Sequence, residues 1–176
     1  MKTFEFKNTL FDYFNNKIVE HFPELEGKIF RERLKIDKPQ YPYICLKTGT
    51  KTRTNRRFEN FYSEGKEYIR VQYSLPITFS VHDIKVNPIE AEAYTDEVID
   101  YIELFFIANQ TTHIDLNQKG IIVNETMGSG VNDTSSFSNT AQEFIKETEI
   151  VFEFENIIET VPEIGKELDI NINCSY

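Results

Sequence analysis

Cysteine and histidine are scarce in this sequence. The two cysteines, Cys45 and Cys174, lie far apart, and nothing marks the chain as secreted, so we expect no disulfide framework. Cys45 lies in an apolar strand context, which predicts a buried free thiol. The three histidines have no zinc-ligand spacing, with or without the cysteines: they are His21, His82 and His113. We therefore expect neither a metal site nor a cofactor.

Long apolar runs and catalytic motifs are also missing. No stretch approaches the ~20 apolar residues of a membrane span, and the N-terminal residues Met-Lys-Thr-Phe-Glu-Phe-Lys-Asn hold no apolar signal segment. His82 and Asp83 could form half of a catalytic pair, but no Gly-x-Ser-x-Gly motif accompanies them. The segment from Gly128 to Gly130 lacks the Lys-Ser/Thr and the glycine spacing of a phosphate loop. We expect a protein that is not an enzyme and does not enter a membrane.

Aromatic and acidic residues, by contrast, are abundant. The 176 residues include 15 phenylalanines and 9 tyrosines, and 40% of the chain is hydrophobic. This is enough for a substantial core, and the length suits one domain spanning residues 1–176. The formal net charge is −10, and such a chain is repelled by phosphate. General nucleic-acid binding is therefore not expected of the chain as a whole.

The longest strand pattern runs from Glu67 to His82. The intervening positions are mostly polar, and the apolar side is formed by Ile69, Val71, Tyr73, Leu75, Ile77, Phe79 and Val81. This period of two is typical of a β-strand with one buried face. Pro76 is expected to interrupt the strand. Because the pattern exceeds the usual strand length, we predict that part of it leaves the core as an arm.

Two amphipathic helices and several short strands complete the predicted fold. One helix spans Thr3–Phe22, and a second, capped by Asn87, runs from Pro88 to about Ala108. Its inner stripe is predicted to be Ala91, Tyr94, Val98, Ile102 and Phe105. The other predicted strands are Ile29–Ile36, Tyr41–Leu46, His113–Leu116, Gly120–Asn124, Phe144–Phe154 and Leu168–Ile172, with an exposed loop at Met127–Asn139 and a turn between Pro162 and Gly165. This order predicts an α+β fold: a mainly antiparallel β-sheet, two helices packed on one face, and a protruding long β-hairpin.

The basic residues are concentrated in one stretch, Lys47–Arg57. It holds no acidic residue and five of the chain's 19 basic ones: Lys47, Lys51, Arg53, Arg56 and Arg57. Threonines alternate with several of these cations, which predicts a strand with a basic face. We expect a basic hairpin arm over residues 47–66 that pairs with the long strand and closes at Ser63–Lys66. Three interpretations stay open: a solvated hairpin, an arm that docks on an acidic protein surface, and a phosphate-contacting arm with aromatics nearby.

An acidic row lies on the second predicted helix. Its members are spaced three or four residues apart: Glu92, Asp96, Asp100 and Glu103. Such a row is most often a solvated face, although a metal or acid/base cluster is an alternative when other elements add ligands. Like charges at this spacing cost a few tenths of a kcal/mol per pair, which a basic partner would offset. A basic arm on one copy meeting this acidic helix on the next would give head-to-tail self-association.

The order of these segments resembles the neck or tail terminator proteins of tailed bacteriophages and phage-like tail particles. The resemblance is carried by Tyr41–Leu46, Arg70–Asp83 with its Ser-Leu-Pro-Ile-Thr-Phe-Ser-Val-His-Asp end, Ala91–Phe106, Gly120–Val123 and Glu147–Glu155. It implies a virion protein, assembled in the cytoplasm of the host bacterium, that forms a ring, usually six-fold, at the head-proximal end of the tail tube. Such a ring stops tube polymerisation and joins the tail to the head.

The resemblance also implies the partners. These are further copies of the chain, the tail tube and its sheath where there is one, the neck or head-completion protein, and genome DNA passing through the channel without sequence-specific contacts. An acidic body would let DNA slide without sticking, and a lumen that faces the DNA is one alternative to a basic partner as the surroundings of the helix row. The family has no catalytic residues to assign here, and the basic hairpin departs from its pattern. The alternatives are a head-completion or tail tube protein and, from another class, a phosphate- or nucleic-acid-binding module that uses Lys47–Arg57.

Overall fold

The structure is a computed structural model that describes residues 1–32, 39–54, 59–108, 114–137 and 142–160. Several predicted features lie outside these residues: Arg56, Arg57, His113, Cys174, the turn between Pro162 and Gly165, the strand Leu168–Ile172 and the end of the strand predicted from Ile29. The helices are α1 (Thr3–His21), α2 (Pro88–Ala108) and α3 (Ile114–Gln118), with a 3-10 turn at Pro23–Leu25. The strands are β1 (Ile29–Arg31), β2 (Tyr43–Thr48), β3 (Thr52–Arg53), β4 (Glu59–Ser63), β5 (Lys66–Asp83), β6 (Ile121–Asp133), β7 (Ser136–Phe137) and β8 (Gln142–Thr160).

Strands β5 and β8 form the spine of the sheet. They pair antiparallel without a register shift from Glu67 opposite Thr160 to Asp83 opposite Phe144. The strand order is β1-β2-β5-β8-β6, while β3 and β4 pair with β5, and β7 pairs with β8. All pairings are antiparallel except that of β1 with β2. The predicted α+β class and the mainly antiparallel sheet are confirmed.

Helices α1 and α2 pack on the same face of this sheet, as predicted. Phe6 of α1 stacks on Phe154 of β8, with 4.3 Å between ring centroids. Phe106 of α2 meets Phe152 of β8 edge-on at 5.2 Å. From Leu75 to Asp83, the residues of β5 that alternate toward the helices are buried, because the core needs one apolar face of the sheet and one apolar stripe of each helix.

Helix α2 begins as its cap predicts, but its buried stripe is broader. The Asn87 Oδ1 atom accepts a hydrogen bond from the backbone N–H of Ile89 at 3.2 Å. The prediction of Tyr94 and Phe105 as inner residues is wrong in part, since both are only half-buried. The fully buried residues of the helix are Ala91, Thr95, Val98, Ile99, Ile102 and Phe106. Helix α2 packs both on the sheet and on α1. Its contact with α1 includes Tyr101, whose ring stacks on that of His21 at 4.2 Å.

Two predictions from local sequence are wrong. The strand predicted at His113–Leu116 is replaced, from Ile114 onward, by helix α3. The loop predicted at Met127–Asn139 is instead strand up to Asp133 and again at Ser136–Phe137. Strand β6 shifts register between Asn124 and Ser129 and again before Asn132. The glycine- and serine-rich composition thus marks bulges in a strand that pairs with the long β8, rather than a loop.

Pro76 does not interrupt β5, contrary to the prediction. The strand is continuous and Pro76 pairs with Val151 of β8. Its carbonyl accepts a hydrogen bond from the Gly49 N–H at 2.9 Å, so the edge on which proline lacks a donor faces β2 and β3. There the neighbouring chain leaves the sheet between Thr48 and Thr52. A Cβ on Gly49 would lie 2.6 Å from the Pro76 Cγ atom, so only glycine passes the proline ring closely.

Candidate interaction surfaces

The predicted hairpin that closes at Ser63–Lys66 is present. Strand β4 pairs with β5 from Glu59 opposite Arg70 to Ser63 opposite Lys66. Both turn residues have positive φ, 51° at Glu64 and 78° at Gly65, as a two-residue type I′ turn requires. With the end of β8 on its other side, the hairpin forms a three-stranded tip made of β4, residues 66–70 of β5 and residues 155–160 of β8. We call this the sheet tip.

The sheet tip exposes apolar side chains on both faces. The exposed fractions are 77% for Tyr62, 48% for Ile157 and 47% for Ile158. The strands are held together by charges as well as by backbone hydrogen bonds, since the Lys66 Nζ lies 2.7 Å from the Glu159 Oε1. Both groups of that pair are about half-exposed, so water screens the pair and it contributes little stability. An apolar surface of this kind suits contact with another protein segment.

The basic stretch is not the continuous strand that was predicted. Lys47 belongs to β2, the chain leaves the sheet at Gly49, and Arg53 lies on the two-residue strand β3 beside Tyr73. The Lys47 Nζ lies 3.7 Å from a carboxylate oxygen of Glu32. The Lys51 Nζ donates to the Thr3 hydroxyl at 3.1 Å and lies 4.0 Å from the centroid of the Tyr73 ring. Lys51 is therefore held by contacts within its own chain.

The three described members of the basic set, Lys47, Lys51 and Arg53, are all exposed. Arg56 and Arg57 lie outside the described residues.

The acidic row on α2 is only partly a solvated face. Glu92 and Asp100 are exposed, whereas Asp96 and Glu103 are half-buried and contact β8. The Asp96 Oδ1 lies 3.2 Å from the Nζ of Lys146, and the Glu103 Oε1 accepts a hydrogen bond from the Thr148 hydroxyl at 2.6 Å. Half of the row therefore anchors α2 to the sheet and half remains available to a partner.

Lys146 joins three elements at the edge of the core. Its side chain is 10% exposed, and its Nζ contacts Asp133 of β6 at 2.9 Å as well as Asp96 of α2. The hydrogen bond to Asp133 is the main cause that raises the pKa of Lys146. Hydrogen bonds from Ser135 and Lys146 lower the pKa of Asp133 to about 2. The sequence did not indicate this junction, because its members are remote from one another in the chain.

A second acidic surface was missed by the sequence interpretation. The face of β8 opposite the helices carries glutamates at alternating positions, and all of them are half-buried: Glu143, Glu147, Glu149, Glu153 and Glu155. Polar neighbours on adjacent strands donate to them; for example, Ser80 bonds to Glu147 at 2.6 Å and Asn124 to Glu153 at 2.7 Å. Part of the signal was available, since Glu147, Glu149 and Glu153 occupy odd-numbered positions of the strand predicted at Phe144–Phe154, whereas Glu143 and Glu155 lie just outside it.

His82 does not pair with Asp83. The two side chains point to opposite faces of β5, and the Asp83 side chain is 1% exposed on the helix face, where burial raises its pKa. The His82 Nδ1 instead lies 3.3 Å from the Glu143 Oε1, which also accepts a hydrogen bond from the Tyr41 hydroxyl at 2.8 Å. Tyr43 stacks on His82 at 4.4 Å.

Cys45 lies in a shallow pocket of about 230 Å³ beside these aromatic residues. The thiol is free and only half-buried, so the predicted burial is partial. Burial, followed by the nearby Glu32 carboxylate, raises the pKa of the thiol. A thiol with a raised pKa stays protonated at neutral pH and is a poor nucleophile.

Within the described ranges, no group of three or more His, Cys, Asp or Glu side chains could hold a metal ion. In the same part of the chain, no helix is long and apolar enough to cross a membrane.

The basic and acidic sets are not brought together within the described part of one chain. Lys51 lies at Tyr73, opposite Phe154 of β8, whereas the acidic row meets β8 at Lys146 and Thr148. Six residues of extended strand separate Thr148 from Phe154, a distance of roughly 20 Å. No ion pair joins the two sets among the residues that the structure describes. Comparison with models of protein families found no match to this chain, and comparison with curated proteins also found none.

Proposed function

We propose that the chain is a structural protein of a tailed bacteriophage or phage-like tail particle, which assembles with further copies of itself into a ring, six-fold in the simplest case, at the head-proximal end of the tail tube. Its role there is to end tube polymerisation and to present the surface on which the neck or head docks. The order of sequence segments and the α+β fold support this proposal.

The observation that carries the proposal is the separation of charge on one subunit. Arg53 and its basic neighbours lie along β5, while Glu92 and Asp100 are exposed on α2, whose acidic row meets β8 at Thr148, roughly 20 Å along the sheet from the position opposite Tyr73. Pairing between the two sets therefore requires two copies. A basic surface on one copy that meets an acidic surface on the next is a heterologous contact, and such contacts close into a ring when the rotation permits.

A phosphate-binding module is less well supported. Lys47 and Lys51 are engaged with Glu32, Thr3 and Tyr73 of their own subunit, which leaves fewer cations to displace counterions from a nucleic acid. Oligonucleotide binding that weakens steeply with salt and is lost on replacing Lys51 and Arg53 by alanine would favour that class instead.

Electron microscopy of particles from a producing strain that lacks this gene tests the proposal. Abnormally long tails without heads are the expected result for a terminator. Tails of normal length beside unattached filled heads would make the chain a head-completion protein, and absence of any tube would make it the tube protein itself. Intact, infectious particles would contradict all three structural roles.

Complementation of that strain separates the basic stretch from the rest of the proposal. We expect Arg53→Glu to fold normally but to restore few infectious particles, because it places like charges at the contact with the acidic helix. The matched control is Lys119→Glu, which makes the same charge change at an exposed residue after α3 and should complement fully. If both variants complement equally, Arg53 is not a docking residue, although the structural role would stand.

A further inference from the structure

The outer edge of β8 loses its strand partner at the sheet tip. Strand β6 starts at Ile121, opposite Phe154, and within the described residues no strand pairs with 155–160 on that side. The backbone groups of a β-strand point alternately to its two edges. The Glu155 carbonyl accepts a hydrogen bond from the Met1 amino group at 2.6 Å, so Ile157 and Glu159 direct their N–H and C=O groups to the same outer edge.

This edge is also apolar. Ile157 and Ile158 are each about half-exposed, one on either face of the strand. Beyond the Glu155 carbonyl, the edge from Asn156 to Thr160 has exposed isoleucines and, among the described residues, no strand partner for its outward backbone groups, so it is a template for the addition of a further strand. Proteins that leave such an edge uncovered are prone to pair with other chains.

We infer that the occupant of this edge is the C-terminal segment Glu167–Asn173 of the same chain, added as an antiparallel strand. In this segment Leu168, Ile170 and Ile172 alternate with acidic or amide residues, the pattern of a strand with one apolar face. The described part of β8 ends at Thr160, at the end of the open edge. Six residues, including Pro162 and Gly165, separate Thr160 from Glu167, which is enough for the chain to reverse.

The same-chain occupant is favoured over a second copy by proximity. A segment tethered through so short a connection has an effective concentration in the millimolar range, well above that of a free subunit in dilute solution. The added strand would satisfy the outward backbone groups of Ile157 and Glu159 and cover one of the two exposed isoleucines. This inference concerns the free subunit and does not depend on the proposed role in a tail.

Amide hydrogen exchange on the full-length chain, resolved by residue and measured at several protein concentrations, tests the inference. The amides of Ile157 and Glu159 should exchange slowly and independently of concentration. Ile170→Asp, which places a charge on the apolar side of the segment, should speed their exchange by roughly tenfold or more. The matched control is Asn171→Asp, which adds the same charge on the polar side and should leave these amides protected.

Two reference amides show whether the fold is intact. Ile158 pairs with Ile69 of β5 and Glu153 pairs with Ile122 of β6, so both should stay protected in every variant. Exchange of Ile157 and Glu159 at the rate of an unstructured peptide in the wild type would overturn the inference, as would an unchanged rate in Ile170→Asp. Protection that grows with protein concentration would overturn it in favour of a second copy on the edge.

Discussion

Gly49 lies against the ring of Pro76. This contact predicts that the effect of Gly49→Ala on stability depends on whether residue 76 is proline. A Cβ at position 49 would lie 2.6 Å from the Pro76 Cγ, and the proline ring cannot rotate away from it. Overpacking of this kind costs about 1–3 kcal/mol. Gly49 does not have a positive φ, so alanine fits the backbone and should gain about 0.4–1 kcal/mol from the unfolded state. We therefore expect Gly49→Ala to destabilise the protein by about 1–2 kcal/mol.

Replacing Pro76 by alanine removes the steric overlap between its ring and the added Cβ, but it keeps the stabilisation that Gly49→Ala gains from the unfolded state. In a Pro76→Ala background, the next atoms near the added Cβ are the carbonyl oxygen of residue 76 at 3.3 Å and its Cβ at 3.5 Å. There, Gly49→Ala should be neutral or stabilising by up to about 1 kcal/mol, which makes the coupling energy between the two sites about 1–3 kcal/mol.

Urea denaturation followed by circular dichroism measures all four proteins, since the chain has no tryptophan to report on unfolding. Equal destabilisation by Gly49→Ala in both backgrounds would refute the steric explanation for the break between β2 and β3.

Two further predictions concern stability. Because the folded-state pKa of Asp133 is about 2, below its ordinary value of 3.8, its contribution to stability is fully present above about pH 4 and is lost as the pH falls towards 2. The difference in unfolding free energy between the wild type and Asp133→Asn should thus be constant near neutral pH and shrink below pH 4; a difference that is unchanged by acid would contradict the assigned hydrogen bonds from Ser135 and Lys146 to Asp133. Phe79→Ala, at a fully buried site beside Phe14 and Phe106, should cost about 3–5 kcal/mol in urea denaturation, whereas Phe4→Ala, at a side chain that is 71% exposed, should change stability by less than about 0.5 kcal/mol.

The parts of the fold that could be predicted are those with long hydrophobic periods. Helix α1, helix α2 with its Asn87 cap, and the two strands of the spine all carry their pattern over many residues. Strand β6 was only partly predicted, because its glycine- and serine-rich half is held by pairing with β8, which is a non-local interaction. The five-residue helix α3 is too short for a helical period to distinguish it from a strand.

The candidate surfaces also combine features that are visible in the sequence with features that depend on non-local contacts. The basic composition around Lys51 is visible in sequence, but its contacts with Thr3 and Tyr73 depend on where α1 begins relative to β5. The alternation of glutamates along β8 is visible in the sequence. They form one surface, however, only because both main helices pack on the opposite face. The point at Gly49 where the chain leaves the sheet between β2 and β3 could not be predicted from the neighbouring sequence either, since its cause is Pro76, which is distant in the chain.

The uninterrupted pairing of β5 with β8 has a mechanical consequence. The paired segment runs from Glu67 to Asp83, roughly 55 Å, and passes from the sheet tip through the aromatic core without a register shift. A pull along these strands loads many hydrogen bonds in shear at once, so they must break together rather than one after another. Displacement of the tip by a bound neighbour would therefore be carried to the layer beneath α1 and α2 as motion of a stiff ribbon, with no hinge in between.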